Sequence, residues 1–151
     1  MRKMLMFAFA GAVSVVLVAA AATVRAAEFG TAGEAKAMLE RAVAAIKADK
    51  ARALATFSKG EGGFKDRDLY PFCGGPDGNF TAHPTLTGKS LKGLKDKAGK
   101  ALGEEIYKVA QEGKISEVSY MWPRPGTDQP VQKVTFVTKV GDQVCAVGYY
   151  K

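Results

Sequence analysis

Apolar residues recur at helical spacing from about Ala32 to Ser58, at Leu39, Val43, Ile46, Leu54 and Phe57, with Met38, Ala42 and Ala45 beside them. Thr31-Ala32-Gly33-Glu34 ahead of this run has the form of a capping box, in which hydroxyl and carboxylate each satisfy an orphan backbone N–H. Lys59 and Gly60 supply a cationic last turn and a glycine stop. The pattern predicts one long helix, roughly 40 Å end to end.

Past Gly60-Glu61-Gly62-Gly63 the period shortens from helical to alternating. Leu69–Cys73 reads as a short strand, Gly74–Asn79 as a turn, and Phe80–His83 as the returning strand. Thr85–Ala98 is irregular and lysine-rich. Leu102, Ile106 and Val109 predict a second helix over about Lys100–Gln111, and Asp96 with Gly99 reads as the turn that leads into it. Three strands follow, near Ile115–Trp122, Val131–Val140 and Gln143–Tyr150. No internal repeat or linker interrupts them.

Gly141-Asp142, between Val140 and Gln143, has the two-residue type II′ hairpin pattern with glycine first. Such a turn fixes register, because pairs must be symmetric about it. Lys133 then lies opposite Tyr150, Thr135 opposite Gly148, and Val137 opposite Ala146, all on one face. Val134, Phe136, Cys145, Val147 and Tyr149 share the other. The Phe136 face reads as packed core. Ala146 and Gly148 leave room above the Lys133 face.

Met1–Ala26 changes what the charge means. Arg2 and Lys3 precede the uncharged run Met4–Val24, and Val24-Arg25-Ala26 has the small-residue form of a cleavage site. This predicts a signal peptide over 1–26, a single mature domain over 27–151, and a periplasmic location. The same run is long enough to span a bilayer, which leaves an uncleaved, membrane-tethered form as the alternative. The chain carries 22 basic and 15 acidic residues, net +7. Arg2, Lys3 and Arg25 leave with a cleaved peptide, so the excess falls by three. That is an ordinary balance for a domain with no nucleic-acid role. Lys89, Lys92, Lys95, Lys97 and Lys100 read as a solvated face. Export also bears on Cys73 and Cys145, because disulfides persist outside the cytoplasm. With one histidine and widely spaced cysteines, no metal motif or cofactor is expected.

Candidate chemistry is concentrated in Val118–Phe136, where Tyr120, Trp122 and Lys133 fall close together on two strands. A phenol, an indole and an ammonium suit a small anion with an apolar end. The plainer readings are core aromatics and a solvated lysine. His83, before Pro84, reads either as a structural histidine or as part of the same site. Catalysis is not expected. Gly93–Lys100 fails as a phosphate loop in its glycine spacing and in Ala101, and no Gly-x-Ser-x-Gly or His-Glu-x-x-His sequence occurs. A Cys73–His83 pair would lose its thiol to a disulfide.

Taken in order, Phe64-Lys65-Asp66-Arg67-Asp68-Leu69-Tyr70, Asp77-Gly78, Ala82-His83, Leu86-Thr87-Gly88-Lys89, Leu94–Lys100, Tyr120-Met121-Trp122-Pro123, Lys133 and Gly148–Lys151 resemble a single Cache domain of type 2. The sequence departs from the family at Phe136, where tyrosine is common, and at Pro84. The resemblance implies an α+β, PAS-like Cache fold, with the long N-terminal helix packed along a five-stranded antiparallel sheet. Its first and last strands would be neighbours, so Cys73 and Cys145 could face each other. Cys73 would then share the Phe136 face, and alternation would send Tyr70 and Phe72 to the Lys133 face. The resemblance also implies a pocket of Tyr120, Trp122, Lys133, His83, Tyr70 and Phe72 for a short carboxylate such as pyruvate, acetate or propionate. Because the sequence ends at Lys151, a free-standing sensor is expected, signalling through a receptor or histidine kinase ectodomain. The rival expectation is a structural envelope protein without a ligand. If the leader is cleaved, the intact mass of the exported protein will start at Ala27; a membrane-bound product that retains Met1 would establish the tether.

Overall fold

In the computed structural model, residues 27–151 are described; the expected signal peptide lies outside them. The capping box forms as expected. The Thr31 hydroxyl accepts from Glu34 N–H, and the Glu34 carboxylate accepts from Thr31 N–H at 2.8 Å. The single long helix does not form. Helix α1 spans Ala32–Ala48 and α2 spans Lys50–Lys59, with Asp49 extended between them. Asp49 closes α1 through its N–H to Ala45 O and opens α2 by accepting the Arg52 N–H at 3.0 Å. An aspartate that competes for backbone N–H groups is a ready N-cap, which explains a break within an otherwise helical pattern. Met38, Leu39, Ile46 and Phe57 still point to one side and are buried.

Five antiparallel strands form one sheet: β1 (Pro71–Gly74), β2 (Phe80–Ala82), β3 (Ser116–Pro123), β4 (Pro130–Val140) and β5 (Gln143–Tyr150), in the order β2-β1-β5-β4-β3. Gly141 has φ +60, as the two-residue turn requires, and Val140 pairs with Gln143. Lys133 pairs with Tyr150, Thr135 with Gly148, and Val137 with Ala146. Helices α1 and α2 cover one face, where Phe136, Cys145 and Val147 join Met38, Leu39 and Phe57. Phe136 stacks there on Tyr149, 5.8 Å between ring centroids.

Helix α3 is shorter than expected, Leu102–Val109, and its N-cap residue Ala101 offers no side-chain cap. The lysine-rich segment before it is irregular but anchored. Asp96 Oδ1 accepts from the N–H groups of Ala98 and Lys100, and Oδ2 accepts from Met121 N–H of β3. Leu91 and Leu94 of this segment, with Leu102 and Ile106 of α3, cover the other face of the sheet.

Strands β1 and β5 place Cys73 directly opposite Cys145, and the two form a disulfide with Cα atoms 4.1 Å apart. The bridge closes a loop of 72 residues, and in the chain-entropy account such a constraint contributes roughly 4 kcal/mol. The native protein will titrate no free thiol. Replacing both cysteines by alanine will lower the unfolding free energy by about that amount in denaturant melts.

Candidate ligand-binding site

One row across the sheet organises the site. Tyr120 of β3 pairs with Lys133 of β4, which pairs with Tyr150 of β5. The Lys133 side chain is 1 % exposed, and its Nζ donates to the Tyr70 hydroxyl at 3.2 Å. The ring centroids of Tyr70 and Tyr150 lie 4.5 and 4.9 Å from the same Nζ, within cation–π range. The space expected over Gly148 is not vacant. A Cβ at that position would run into Thr135 Oγ1 and Lys133 Cε, so glycine is what lets the lysine stem lie flat on β5.

Among the described residues no carboxylate forms an ion pair with Lys133. Burial without a close counter-ion disfavours the charged amine and pushes its pKa down to about 7, a shift only partly opposed by Asp68. Burial also raises the Tyr70 phenol to about 12 and raises those of Tyr120 and Tyr150. Tyr120 shares a 3.2 Å hydrogen bond with Thr135 Oγ1, and Tyr150 donates to Pro123 O at 2.7 Å.

Five of the six expected residues, Tyr70, Phe72, His83, Tyr120 and Trp122, line one cavity of about 20 Å³. Leu86, Leu91 and Leu94 of the covering segment, with Leu102 and Ile106 of α3, complete its apolar walls. Lys133 does not line it. The amine sits one hydrogen bond behind the wall, on the Tyr70 hydroxyl. The cavity has room for about one water, so a larger guest must part these groups.

His83 holds a turn together and also lies on the cavity wall. Its Nδ1 accepts from the N–H groups of Thr85 and Leu86, at 3.0 and 3.1 Å, which tightens the turn after Pro84. A neutral ring must then carry its proton on Nε2. Burial, reinforced by the Lys133 charge, lowers the ring's pKa to about 4 and keeps it neutral. The same ring packs edge-on against Tyr70 and Phe80 on the cavity wall.

Tyr70, His83 and Trp122 also face an outer groove of about 370 Å³, whose far side carries Arg124 and Arg67. Arg124 is a residue that the sequence reading passed over. Its guanidinium lies 4.2 Å from the Phe29 ring and 5.1 Å from that of Tyr150, with Nε 3.6 Å from Asp68 Oδ2. Among the described residues neither that nitrogen nor that oxygen has a hydrogen-bond partner. Asp68 Oδ1 accepts the Gly30 N–H at 2.7 Å and so ties the N-terminal segment to the site. Pro123-Arg124-Pro125 has the composition of an ordinary loop, and nothing in its spacing signals a cation that folds back onto Tyr150 of β5.

A helical layer on one face of a β2-β1-β5-β4-β3 sheet, and a covered cavity on the other, define a PAS-like sensor domain. The chain belongs to the Cache domain family, whose model matches residues 35–149. It is similar to a methyl-accepting chemotaxis protein from Vibrio parahaemolyticus, at 26 % identity and a TM-score of 0.63 over 78 % of this chain and 86 % of that one. The periplasmic sensor domain of a chemotaxis protein matches at 26 % identity and a TM-score of 0.58, over 76 % and 86 %. A Cache chemosensory domain solved for its carboxylic acid recognition shares the fold, at 21 % identity and a TM-score of 0.55, over 76 % and 84 %. The methyl-accepting chemotaxis protein McpP of Pseudomonas putida is 32 % identical over 56 residues, which are 37 % of this chain and 10 % of that receptor. The match thus spans about a tenth of McpP.

The Lys133 environment has a pH signature. An unfolded lysine titrates near 10.5, so between about 7 and that value the unfolded state holds the extra proton. Stability then rises with pH in this window, by up to about 1.4 kcal/mol per unit. The values for Tyr70 and His83, about 12 and about 4, lie outside it. In denaturant melts the ligand-free wild type will therefore gain on Lys133→Met as pH is raised from about 7 to about 9.5. A gap that stays constant would mean that the folded protein keeps Lys133 charged.

Proposed function

We propose that this is a periplasmic sensor domain for a short organic acid, working through a partner such as a receptor or histidine kinase ectodomain. The observation that carries the reading is the buried Lys133 ammonium, which has a phenol for a partner and no carboxylate, beside an apolar, aromatic cavity. An ammonium has three donors, and Tyr70 takes one of them. A ligand carboxylate would supply the missing charge, and Trp122 with Phe72 would cover its carbon end. The likeness to a Cache domain that recognises a carboxylic acid supports this by analogy. Acetate, propionate and pyruvate fit the class.

Entry requires Tyr70 to release Lys133 and the covering segment to yield, because the cavity as it stands holds about one water. That small volume favours the second reading, an envelope protein that keeps the fold without a ligand. A thermal-shift screen with short acids separates the two, since a ligand at a hundred times its Kd adds about 2.7 kcal/mol. With the best acid, Lys133→Met will bind about tenfold to a hundredfold more weakly by calorimetry, the loss of one charge-assisted hydrogen bond. Tyr120→Phe will cost less, because its hydroxyl already has Thr135 as a partner. Unchanged affinity in a folded Lys133→Met protein would place the site elsewhere.

A further inference from the structure

Lys133 has the surroundings of a nucleophilic amine as well as those of an anion partner. Its Nζ is buried, lies between two tyrosine rings, forms no ion pair among the described residues, and donates to one phenol. The charged group that acts on it is Asp68, ahead of β1, while Arg124 lies on the Tyr150 ring. Tyr70, Tyr120, Tyr150 and His83 are the titratable groups around it, from the residue ahead of β1, from β3, from β5 and from the turn after β2. All four are neutral near pH 7, so nothing there stabilises the ammonium as a carboxylate in contact would. Desolvation of this kind is what makes a lysine available as a free amine.

We infer that Lys133 captures short 2-oxo acids covalently and reversibly, as an imine on Nζ, with the Tyr70 hydroxyl moving the proton. The inference rests on the carboxylate reading for the route into the cavity, and it narrows the ligand class to acids with a carbonyl next to the carboxylate. The Nζ lone pair forms a bond to the carbonyl carbon while the C=O π bond breaks to give a hydroxyl. That hydroxyl leaves as water once protonated, Nζ loses its two protons in neutral amine form, and the C=N bond closes. No oxidant or reductant is consumed. Tyr70 O–H, 3.2 Å from Nζ and on the cavity wall, is placed to pass a proton between amine and leaving hydroxyl. Acetate and propionate lack the carbonyl and can bind only as ions.

The full exported chain incubated with pyruvate and cyanoborohydride, then digested and mapped by mass, tests this directly, because hydride from the reagent fixes an imine as a stable secondary amine. One adduct per chain on Lys133, saturating at low pyruvate and absent with propionate, is the expected result. Tyr70→Phe will form it on the order of a hundredfold more slowly, the lower range for loss of a positioned acid–base group. Labelling of exposed lysines alone, at equal rates in wild type and Lys133→Met, would overturn the inference. The decisive map is on the wild-type chain, so a variant that fails to fold does not blunt the test. The two readings also fail separately. Pyruvate and propionate that stabilise the protein without a Lys133 adduct leave the ionic site standing and remove the covalent step. An adduct without any thermal shift from propionate would do the reverse.

Discussion

Parity along β4 and β5 decides which side chains meet the helices and which meet the cavity. The Gly141-Asp142 turn sets that parity, and the Cys73–Cys145 bridge extends it from β5 to β1. A slip of one residue would drive Lys133 into the helix face among Met38, Leu39 and Phe57, and would turn Phe136 toward the cavity. An unpaired ammonium in that apolar layer would cost several kcal/mol, far more than any one strand pair returns. The register is therefore held by a local turn, by a covalent bond, and by what every wrong register would bury.

Given this parity, the site follows from size and chemistry on a single face. Gly148 lets Lys133 lie flat, Thr135 occupies Tyr120, and Tyr70 and Tyr150 wrap the amine. Aromatic rings compensate a desolvated cation only in part, which is why the lysine's proton affinity falls although two rings and a hydroxyl attend it. The arrangement favours the neutral amine over the ammonium. Such a group responds to its surroundings more than a surface lysine can.

Much of this was legible in the sequence because it rests on short-range rules. The turn gave the pairs of β4 and β5, and alternation put Tyr70 and Phe72 on the Lys133 face once Cys73 was set on the other. The break at Asp49 was written locally too, as an aspartate three residues before Arg52, but the apolar period ran through it and masked the cap. The cover was not legible. Leu91 and Leu94 have no regular period, and they are brought over the sheet by hydrogen bonds to separate parts of the chain, among them Leu91 N–H to Gly78 O, Lys97 N–H to Met121 O, and Met121 N–H to Asp96. The same limit applies to Arg124, whose partners Phe29, Asp68 and Tyr150 are distant in the chain. The predicted pocket residues do converge, while the closure of the cavity and the retreat of Lys133 behind Tyr70 depend on packing that no spacing encodes.

The covering segment and the sheet divide the labour differently from the usual picture of a rigid cup. The sheet residues are held by paired strands and a disulfide, so the row Tyr120–Lys133–Tyr150 is fixed in spacing. The cover is held by irregular hydrogen bonds to the β1–β2 turn, β2 and β3, without a strand ladder, and by five leucine and isoleucine side chains over a cavity of about 20 Å³. Elements with few regular backbone pairs open at lower free energy than core strands do. A guest that needs more space therefore displaces the cover rather than the strands. Tyr70 and His83 lie where those two parts meet, one bonded to Lys133 and the other to the turn before the covering segment. From that seam a run of contacts continues through Tyr150 and Arg124 to Phe29, in the segment ahead of α1.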